Sequence, residues 1–378
     1  MKFIHLSDLH IGKRVNEFSM LKDQKHILEQ ILDIIAYEKP DGVIIAGDVY
    51  DKTTPSEDAV QLLNEFICAL ADRQVKTYII SGNHDSAQRL AFGAQLIGKS
   101  GIYISPVYDG TTVKYTLTDQ YGQADIYMLP FIKPAHVRRY YPDAEIASYT
   151  DAVKVAVDSM NVDTARRNII ITHQFVTGAD RSESEELSVG GSDNVDVSVF
   201  DSFDYVALGH IHGPQRMGRD TVRYCGTPLK YSFSEAGHTK SVTVVELLEK
   251  GDVKITAIPL VPLHDMRIVK GTYNEITHKA NYEKTNTEDY IQIVLTDEED
   301  IPDAINRLRV IYPNIMQLKY DNRRTQTNQE IGGATNVESK SPLELFGEFY
   351  EKQNNSAMSD NQREFMAQLI EKIWEGNR

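Results

Sequence analysis

Cysteine is scarce in this chain of 378 residues, which carries just Cys68 and Cys225. Two thiols make no disulfide framework, and a chain this long buries enough apolar surface to fold without one. A secreted disulfide scaffold is excluded, and a reducing compartment is expected. Long hydrophobic runs are missing too, since no stretch approaches the ~20 apolar residues of a membrane span. The opening MKFIHLSDLH puts a histidine and an aspartate where a signal peptide needs an apolar run. The expectation is a cytoplasmic protein without membrane contact. There is no GxxxxGK[ST] phosphate loop, so any ATP dependence has to come from a partner. Net positive charge is absent: 40 Lys and Arg against 55 Asp and Glu leave −15. That balance disfavours coating a polyanion by net charge alone, but leaves room for a local basic track or for bound cations.

The sequence does contain alternating strand and helix patterns. Lys2–Leu6, Gly42–Ala46 and Lys76–Ile80 read as short buried strands. Residues 19–37 carry Leu21, Ile27, Leu28, Ile31, Leu32 and Ile35 at helical spacing, and Pro55-Ser56 opens a second helix with Leu62, Leu63, Phe66, Ile67 and Leu70. This alternation predicts an α/β layered fold. From Gly101 the pattern is β-rich, with strands expected at 113–117, 126–129, 168–172, 205–208, 223–226, 241–246 and 253–258. A first domain is expected over 1–263, ending at Pro259 and Pro262, and a small α/β accessory domain over 264–321, with order strand, strand, helix, strand. Residues 322–340 are polar with Gly332-Gly333 and read as a linker. Over 341–378, capping boxes at Ser341/Glu344 and Ser359/Gln362 open two amphipathic helices.

Five clusters hold most of the usable metal ligands, and each follows a strand-like run. They are Asp8-Leu9-His10, Gly47-Asp48 through Asp51, Gly82-Asn83-His84-Asp85, Thr172-His173-Gln174 and Gly209-His210-Ile211-His212. Open α/β sheets bind ligands outside the carboxyl ends of their strands, so these loops can meet in one crevice. Glycines 47, 82 and 209 are expected to let the chain turn sharply before each ligand. Carboxylate, amide and imidazole without thiolate suit Mn²⁺, Fe or Zn²⁺ better than Ca²⁺ or a structural zinc. Seven candidate ligands are too many for one open catalytic ion and about right for two ions sharing a carboxylate, the arrangement that hydrolyses phosphoesters. Taken singly, an Asp-x-His or a Gly-Asp loop is more often a turn or a helix cap. Three consecutive polar side chains after an apolar strand, as in Asn83-His84-Asp85, have no packing use. The remaining histidines, 5, 26, 136, 238, 264 and 278, read as structural or surface.

In this order, DxH…GDxxD…GNHD…H…GHxH is the signature of the calcineurin-like metallophosphoesterase superfamily, which the chain resembles in every element. The stretches QFVTG (174–178), SVGGS (188–192) and GTPLKYSFSE (226–235) further resemble the SbcD family of bacterial DNA nucleases. The resemblance is specific over 1–263, weaker over the accessory domain, and one of architecture only over the tail. It implies a four-layer α/β sandwich of two mixed β-sheets flanked by helices, with a small α/β capping domain that contacts DNA and a helical tail. It implies that Asp8, His10 and His212 hold one Mn²⁺ and Asn83, His173 and His210 a second, with Asp48 bridging. His84 would face the phosphate and protonate the leaving 3′-oxygen, with the Asp51 carboxylate fixing its tautomer. Asp85 reads as a cap of the following helix. The implied activity is 3′–5′ double-strand exonuclease and single-strand or hairpin endonuclease action in DNA break processing, by a nucleoid-associated homodimer that pairs through apolar faces around 62–70 and 90–96.

Phosphate-binding groups for DNA are expected beside the motifs: Lys13, Arg14, Arg89, Lys133, Arg138 and Arg139, with Arg216 and Arg219 after GHxH. The bland alternative for each is a solvated surface. The loop 180–186, acidic and Ser-rich, reads as a poor DNA contact. In the tail, Phe346, Phe349, Phe365, Leu369 and Trp374 either pack on their own domain or, as the resemblance implies, anchor the coiled-coil base of an SbcC-type ATPase. Two competing functions stay open. A phosphatase of small or protein phosphomonoesters would share the motifs but needs no accessory domain, tail or GTPLKYSFSE segment. A non-catalytic scaffold for the ATPase has no need of so many converging ligands.

Overall fold

The three short apolar runs are neighbours in one sheet. In the computed structural model, which describes residues 1–185, 193–323, 325, 342–354 and 356–375, Lys2–Leu6, Gly42–Ala46 and Lys76–Ile80 lie side by side and parallel. Ile102–Ile104 extends this sheet in parallel at one edge, while Ser241–Leu247 and Val253–Pro259 extend it antiparallel at the other. A second six-stranded sheet runs in the order Gln215–Met217, Arg219–Tyr224, Tyr205–Gly209, Arg167–His173, Gly122–Leu129, Val113–Asp119. Its inner four strands are parallel, and both edge strands are antiparallel.

Side-chain alternation brings the sheets face to face. Phe3, Ile44, Ala46, Tyr78 and Ile80 pack on Ile126, Met128, Ile169, Ile171 and Ala207 of the second sheet. Ile4, Val43, Ile45 and Ile79, which alternate with them, point the other way and are also fully buried. Burial on both faces is what makes these parallel strands read as unbroken apolar runs, and each such side chain contributes about 1.5–3 kcal/mol. Helices Leu21–Glu38 and Glu57–Asp72 bury the stripes Ile27, Leu28, Ile31, Ile35 and Leu62, Leu63, Phe66, Leu70. Tyr149–Asp158 sets Ala152, Val153, Ala156 and Val157 in one core with Ile170, Val206, Leu208 and Val222 of the second sheet. The result is the expected α/β sandwich of two mixed sheets flanked by helices.

Several details differ from expectation. Tyr149–Asp158 and the short helix Pro134–Arg138 interrupt a stretch read as β-rich. The strand expected at 223–226 is Arg219–Tyr224, because Gly226 turns the chain at φ +77°. Leu62, Leu63, Phe66 and Leu70 face the protein's own core, whereas Phe92 and Leu96 are exposed.

The chain separates into two compact units, Met1–Met266 and Arg267–Arg378. The three strands Met266–Gly271, Tyr290–Leu295 and Ile315–Tyr320 form one sheet around a core that includes Ile276, Ile291, Ile293, Leu308 and Tyr312. The order strand, strand, helix, strand holds, with helix Ala304–Arg309 and two unforeseen short helices, Tyr273–Thr277 and Lys279–Tyr282. In the tail, Pro342–Asn354 and Asp360–Glu375 are helices. The second opens with the Ser359/Gln362 capping box, Ser359 N–H donating to Gln362 Oε1 at 2.9 Å. Most of the 322–340 linker, Ser341 of the first box, and the SVGGS stretch lie outside the described residues. Among the described residues, no helix is long and apolar enough to cross a membrane.

Candidate metal centre

Every ligand candidate sits at or just beyond the carboxyl end of a strand. Asp8 and His10 follow Lys2–Leu6, Asp48 follows Gly42–Ala46, and Asn83 and His84 follow Lys76–Ile80. From the second sheet, His173 ends Arg167–His173, and His210 and His212 follow Tyr205–Gly209. Main-chain bonds stitch the loops together: Asp8 N–H to Gly47 O at 3.0 Å and His10 N–H to Asp48 O at 2.9 Å. Asp8, His10, Asp48 and His210 adopt positive φ angles of 52°, 44°, 48° and 107°. Such backbone costs about 1–3 kcal/mol per residue and persists where the surroundings over-determine it.

The three motif glycines serve two different purposes. Gly47 alone among them has positive φ, at +87°. Gly82 and Gly209 are needed for close approach: a Cβ would stand 2.1 Å from Asp48 Oδ1 and 1.9 Å from the Ala46 carbonyl, respectively. At those two positions, lack of bulk is the requirement, not a sharp turn.

The donors gather into two adjoining groups. His10 Nε2 and His212 Nε2 lie 3.1 Å apart, and with Asp8 they have ligand atoms within 4.8 Å of one another. Asn83 Oδ1 lies 3.0 Å from His173 Nε2 and 2.9 Å from His210 Nδ1. Asp48 Oδ2 faces both groups, 3.7 Å from His10 Nε2 and 3.2 Å from His173 Nε2. His84 Nε2 is 4.0 Å from the same oxygen, and at 17% its side chain is more exposed than those of Asp8, His10, Asp48, His173 and His212.

Burial and mutual charge together shift the titration of the cluster. Burial, reinforced by the Asp48 charge, pushes Asp8 up to about 6. Burial opposes charge on His173, yet the Asp48 carboxylate outweighs it and raises the imidazole to about 9. Asp48 itself is held well below the usual carboxylate range, because the facing imidazoles, His173 first, overcome its burial. Burial lowers His210 to about 3 and takes His10 well below its usual value. Two buried carboxylates facing imidazoles and an amide oxygen, without thiolate, fit hard or borderline divalent cations.

Three expected roles need correction. His84 Nδ1 meets the main-chain carbonyl of Asp51 at 3.1 Å, not its carboxylate. That carboxylate pairs with Lys13 at 2.8 Å and lies 3.6 Å from His10 Nδ1, too far for a hydrogen bond. Asp85 does not cap the following helix, whose N-terminus has no side-chain cap. It accepts from the N–H groups of Val49 at 3.1 Å, Tyr50 at 2.9 Å and Gly82 at 2.9 Å, tying the two motif loops together. Lys13 is thereby an internal anchor and not a free cation, whereas Arg138 is exposed, with one guanidinium nitrogen donating to the Ile146 carbonyl at 2.6 Å.

The other basic candidates have local partners. Arg14 donates to the Glu17 carbonyl, and Arg89 to Thr53 O at 2.9 Å and Thr54 Oγ1. Lys133 sits 5.9 Å over the Phe131 ring, which is edge-on to His173 at 6.2 Å, and Arg139 lies 5.7 Å over Tyr140. Arg216 pairs with Asp220, and Arg219 donates to the Phe200 and Phe203 carbonyls. Gln24 had no sequence signal beyond a polar helix position, yet its Nε2 donates to His10 O at 2.7 Å while its Oε1 accepts from Gly12 N–H at 3.0 Å. In the tail, Phe346 lines an apolar groove with Tyr350, Met358, Phe365 and Met366, while Phe349 and Phe365 are 59% and 64% exposed and Leu369 38%. The Trp374 side chain lies outside the described ones.

Two family models match this chain. The family model described as calcineurin-like phosphoesterase matches residues 1–214. A second, SbcD_C, described as the type 5 capsule protein repressor C-terminal domain, matches residues 262–354. Among solved structures, a dimetal phosphatase from Danio rerio is similar at 13% identity and a TM-score of 0.43, covering 70% of this chain and 98% of its own. TT1561 of Thermus thermophilus is similar at 12% identity and a TM-score of 0.38, covering 68% and 98%.

Proposed function

The chain belongs to the calcineurin-like phosphoesterase family, and on that premise we propose that this metal-dependent phosphoester hydrolase is a Mn²⁺-dependent DNA nuclease. It acts as 3′–5′ double-strand exonuclease and single-strand or hairpin endonuclease, as the nuclease subunit of an SbcC–SbcD-like complex in the cytoplasm. The choice of DNA is carried by the SbcD_C match over 262–354, a unit that a phosphatase of monoesters has no need of.

Asp8, His10 and His212 hold one cation in this proposal, and Asn83, His173 and His210 the other, with Asp48 shared because its Oδ2 faces both groups. Bound divalent cations supply Lewis acidity toward the phosphodiester and toward water. The protein supplies positioning and a proton. The Asp51 carbonyl can only accept, so His84 Nδ1 carries a hydrogen, and Nε2 is the nitrogen that gains and releases a proton. That nitrogen faces the donor cluster and delivers the proton to the departing 3′-oxygen. Arg14, Arg89, Lys133, Arg138 and Arg139 hold backbone phosphates without reading sequence. Phe346, Phe349, Phe365, Leu369 and Trp374 dock the ATPase partner.

End-labelled duplex DNA and a chromogenic phosphomonoester, each with Mn²⁺, Mg²⁺ or chelator, separate the readings. Mn²⁺-dependent shortening of DNA with little monoester turnover is expected. Rapid monoester turnover with intact DNA would favour the phosphatase, and inactivity on both with the ATPase present would favour the scaffold.

A further inference from the structure

GTPLKYSFSE, left without a task by the ligand assignment, closes on His212 from behind. His212 Nε2 faces the donor cluster, 3.1 Å from His10 Nε2. Its other ring nitrogen, Nδ1, lies 2.6 Å from Ser184 Oγ, and Ser184 Oγ lies 2.6 Å from Glu235 Oε1. Glu235 is fully buried and paired with Lys240, whose Nζ reaches Glu235 Oε2 at 2.5 Å and the His212 main-chain carbonyl at 2.9 Å. The His212 main-chain N–H is held as well, by Glu185 Oε1 at 2.6 Å.

The direction of this chain follows from what each group can do. An ionised carboxylate accepts only, so Ser184 gives its single hydroxyl hydrogen to Glu235. The Ser184 oxygen then offers a lone pair to His212, which places the imidazole hydrogen on Nδ1. Nε2 is left with its lone pair directed at the cluster, the form in which imidazole binds a cation. Glu235 cannot do this alone, since its Oε1 is 3.8 Å from His212 Nδ1. The loop read from sequence as a poor DNA contact therefore has a part in the centre itself.

We propose that Ser184 and Glu235 are positioning residues that lock the tautomer of His212 and thereby set the cation affinity of the Asp8, His10, His212 group alone. Among the described residues the second group has no equivalent relay: His173 Nδ1 donates straight to the Ala46 carbonyl at 2.8 Å, and His210 Nε2 meets no hydrogen-bond partner. The inference rests on the reading of His212 as a metal ligand given above.

Calorimetric titration of the metal-stripped full-length protein with Mn²⁺, followed by metal analysis, tests it without using activity. Wild type should take up two ions per chain. Ser184→Ala should weaken one ion by about 10–100-fold, the usual cost of losing such a partner, and leave the other unchanged. Ser184→Thr keeps the hydroxyl and should restore the wild-type isotherm, a recovery that general damage to the loop would not give. Glu235→Gln should act like Ser184→Ala. Melting of the metal-free variants shows whether Glu235→Gln has unfolded the chain, in which case Ser184→Ala decides. Equal weakening of both ions, or wild-type affinity in Ser184→Ala, would overturn the relay. A wild type that takes up no Mn²⁺ would overturn the metal reading itself, and the relay with it.

Discussion

Asp48 and His84 are joined directly: the His84 main-chain N–H donates to Asp48 Oδ1 at 2.9 Å, while Asp48 Oδ2 lies 4.0 Å from His84 Nε2. One carboxylate thus faces both donor groups with one oxygen and holds the histidine loop with the other. The proposed shared ligand also holds the loop of the proposed acid, so a change at Asp48 is felt at both.

Asp48→Asn keeps the shape of the side chain but removes its charge. It should reduce metal content from two ions per chain to fewer than one, because a bridging carboxylate neutralises both cations at once. Elemental analysis after gel filtration checks this, and retention of both ions would remove Asp48 from the bridging role.

Asp85→Ala leaves three main-chain N–H groups without their acceptor. At about 1–3 kcal/mol for each buried group left unpaired, the metal-free protein should lose about 3 kcal/mol or more in denaturant unfolding. Asp85→Asn, which still accepts, should lose less. A loss below about 1 kcal/mol for the alanine variant would mean that the Asp85 bonds do not organise the two loops.

His5 gives a pH dependence away from the cluster. It is fully buried, its Nδ1 2.9 Å from the Tyr205 hydroxyl, and burial pushes it from 6.5 down to about 3. Because the folded value lies below the unfolded one, the stabilisation is complete above pH 6.5 and is lost as pH falls toward 3. Between pH 8 and pH 5 the wild type should lose about 2 kcal/mol relative to His5→Gln. Parallel stability profiles for the two proteins would contradict a neutral His5.

Phe349 and Phe365 are exposed in the tail helices. If the proposed nuclease docks a coiled-coil ATPase through them, replacing both with aspartate should leave the melting temperature and the Mn²⁺-supported cleavage rate of the isolated chain unchanged, while abolishing co-purification with that proposed partner. Undiminished co-purification would move the docking surface elsewhere.

Much of this was legible because it is periodic or local. The unbroken apolar runs at 42–46 and 76–80 announce strands buried on both faces, and the polar triplet Asn83-His84-Asp85 has no use in packing. The helix Tyr149–Asp158 had a readable signal in the reciprocal Ser148/Asp151 capping box, but an aspartate there also reads as a turn. The partners of individual side chains were not legible. Whether Asp51 meets His84 through its carboxylate or its carbonyl depends on the fold of the loop, and Asp85 finds two of its three donors 35 and 36 residues away. Lys13 looked like a free cation because sequence does not show that the Asp51 carboxylate lies beside it. Ser184 and Glu235 approach His212 from 28 and 23 residues away in the chain, distances over which no spacing rule operates.

His84→Gln tests the central claim most directly, by following cleavage of end-labelled duplex DNA in Mn²⁺ together with the metal content of the same preparation. Two ions retained with cleavage reduced by about 10²–10⁴-fold is the predicted result. Cleavage near the wild-type rate would contradict it, and loss of the ions along with the activity would make His84 a ligand rather than the acid.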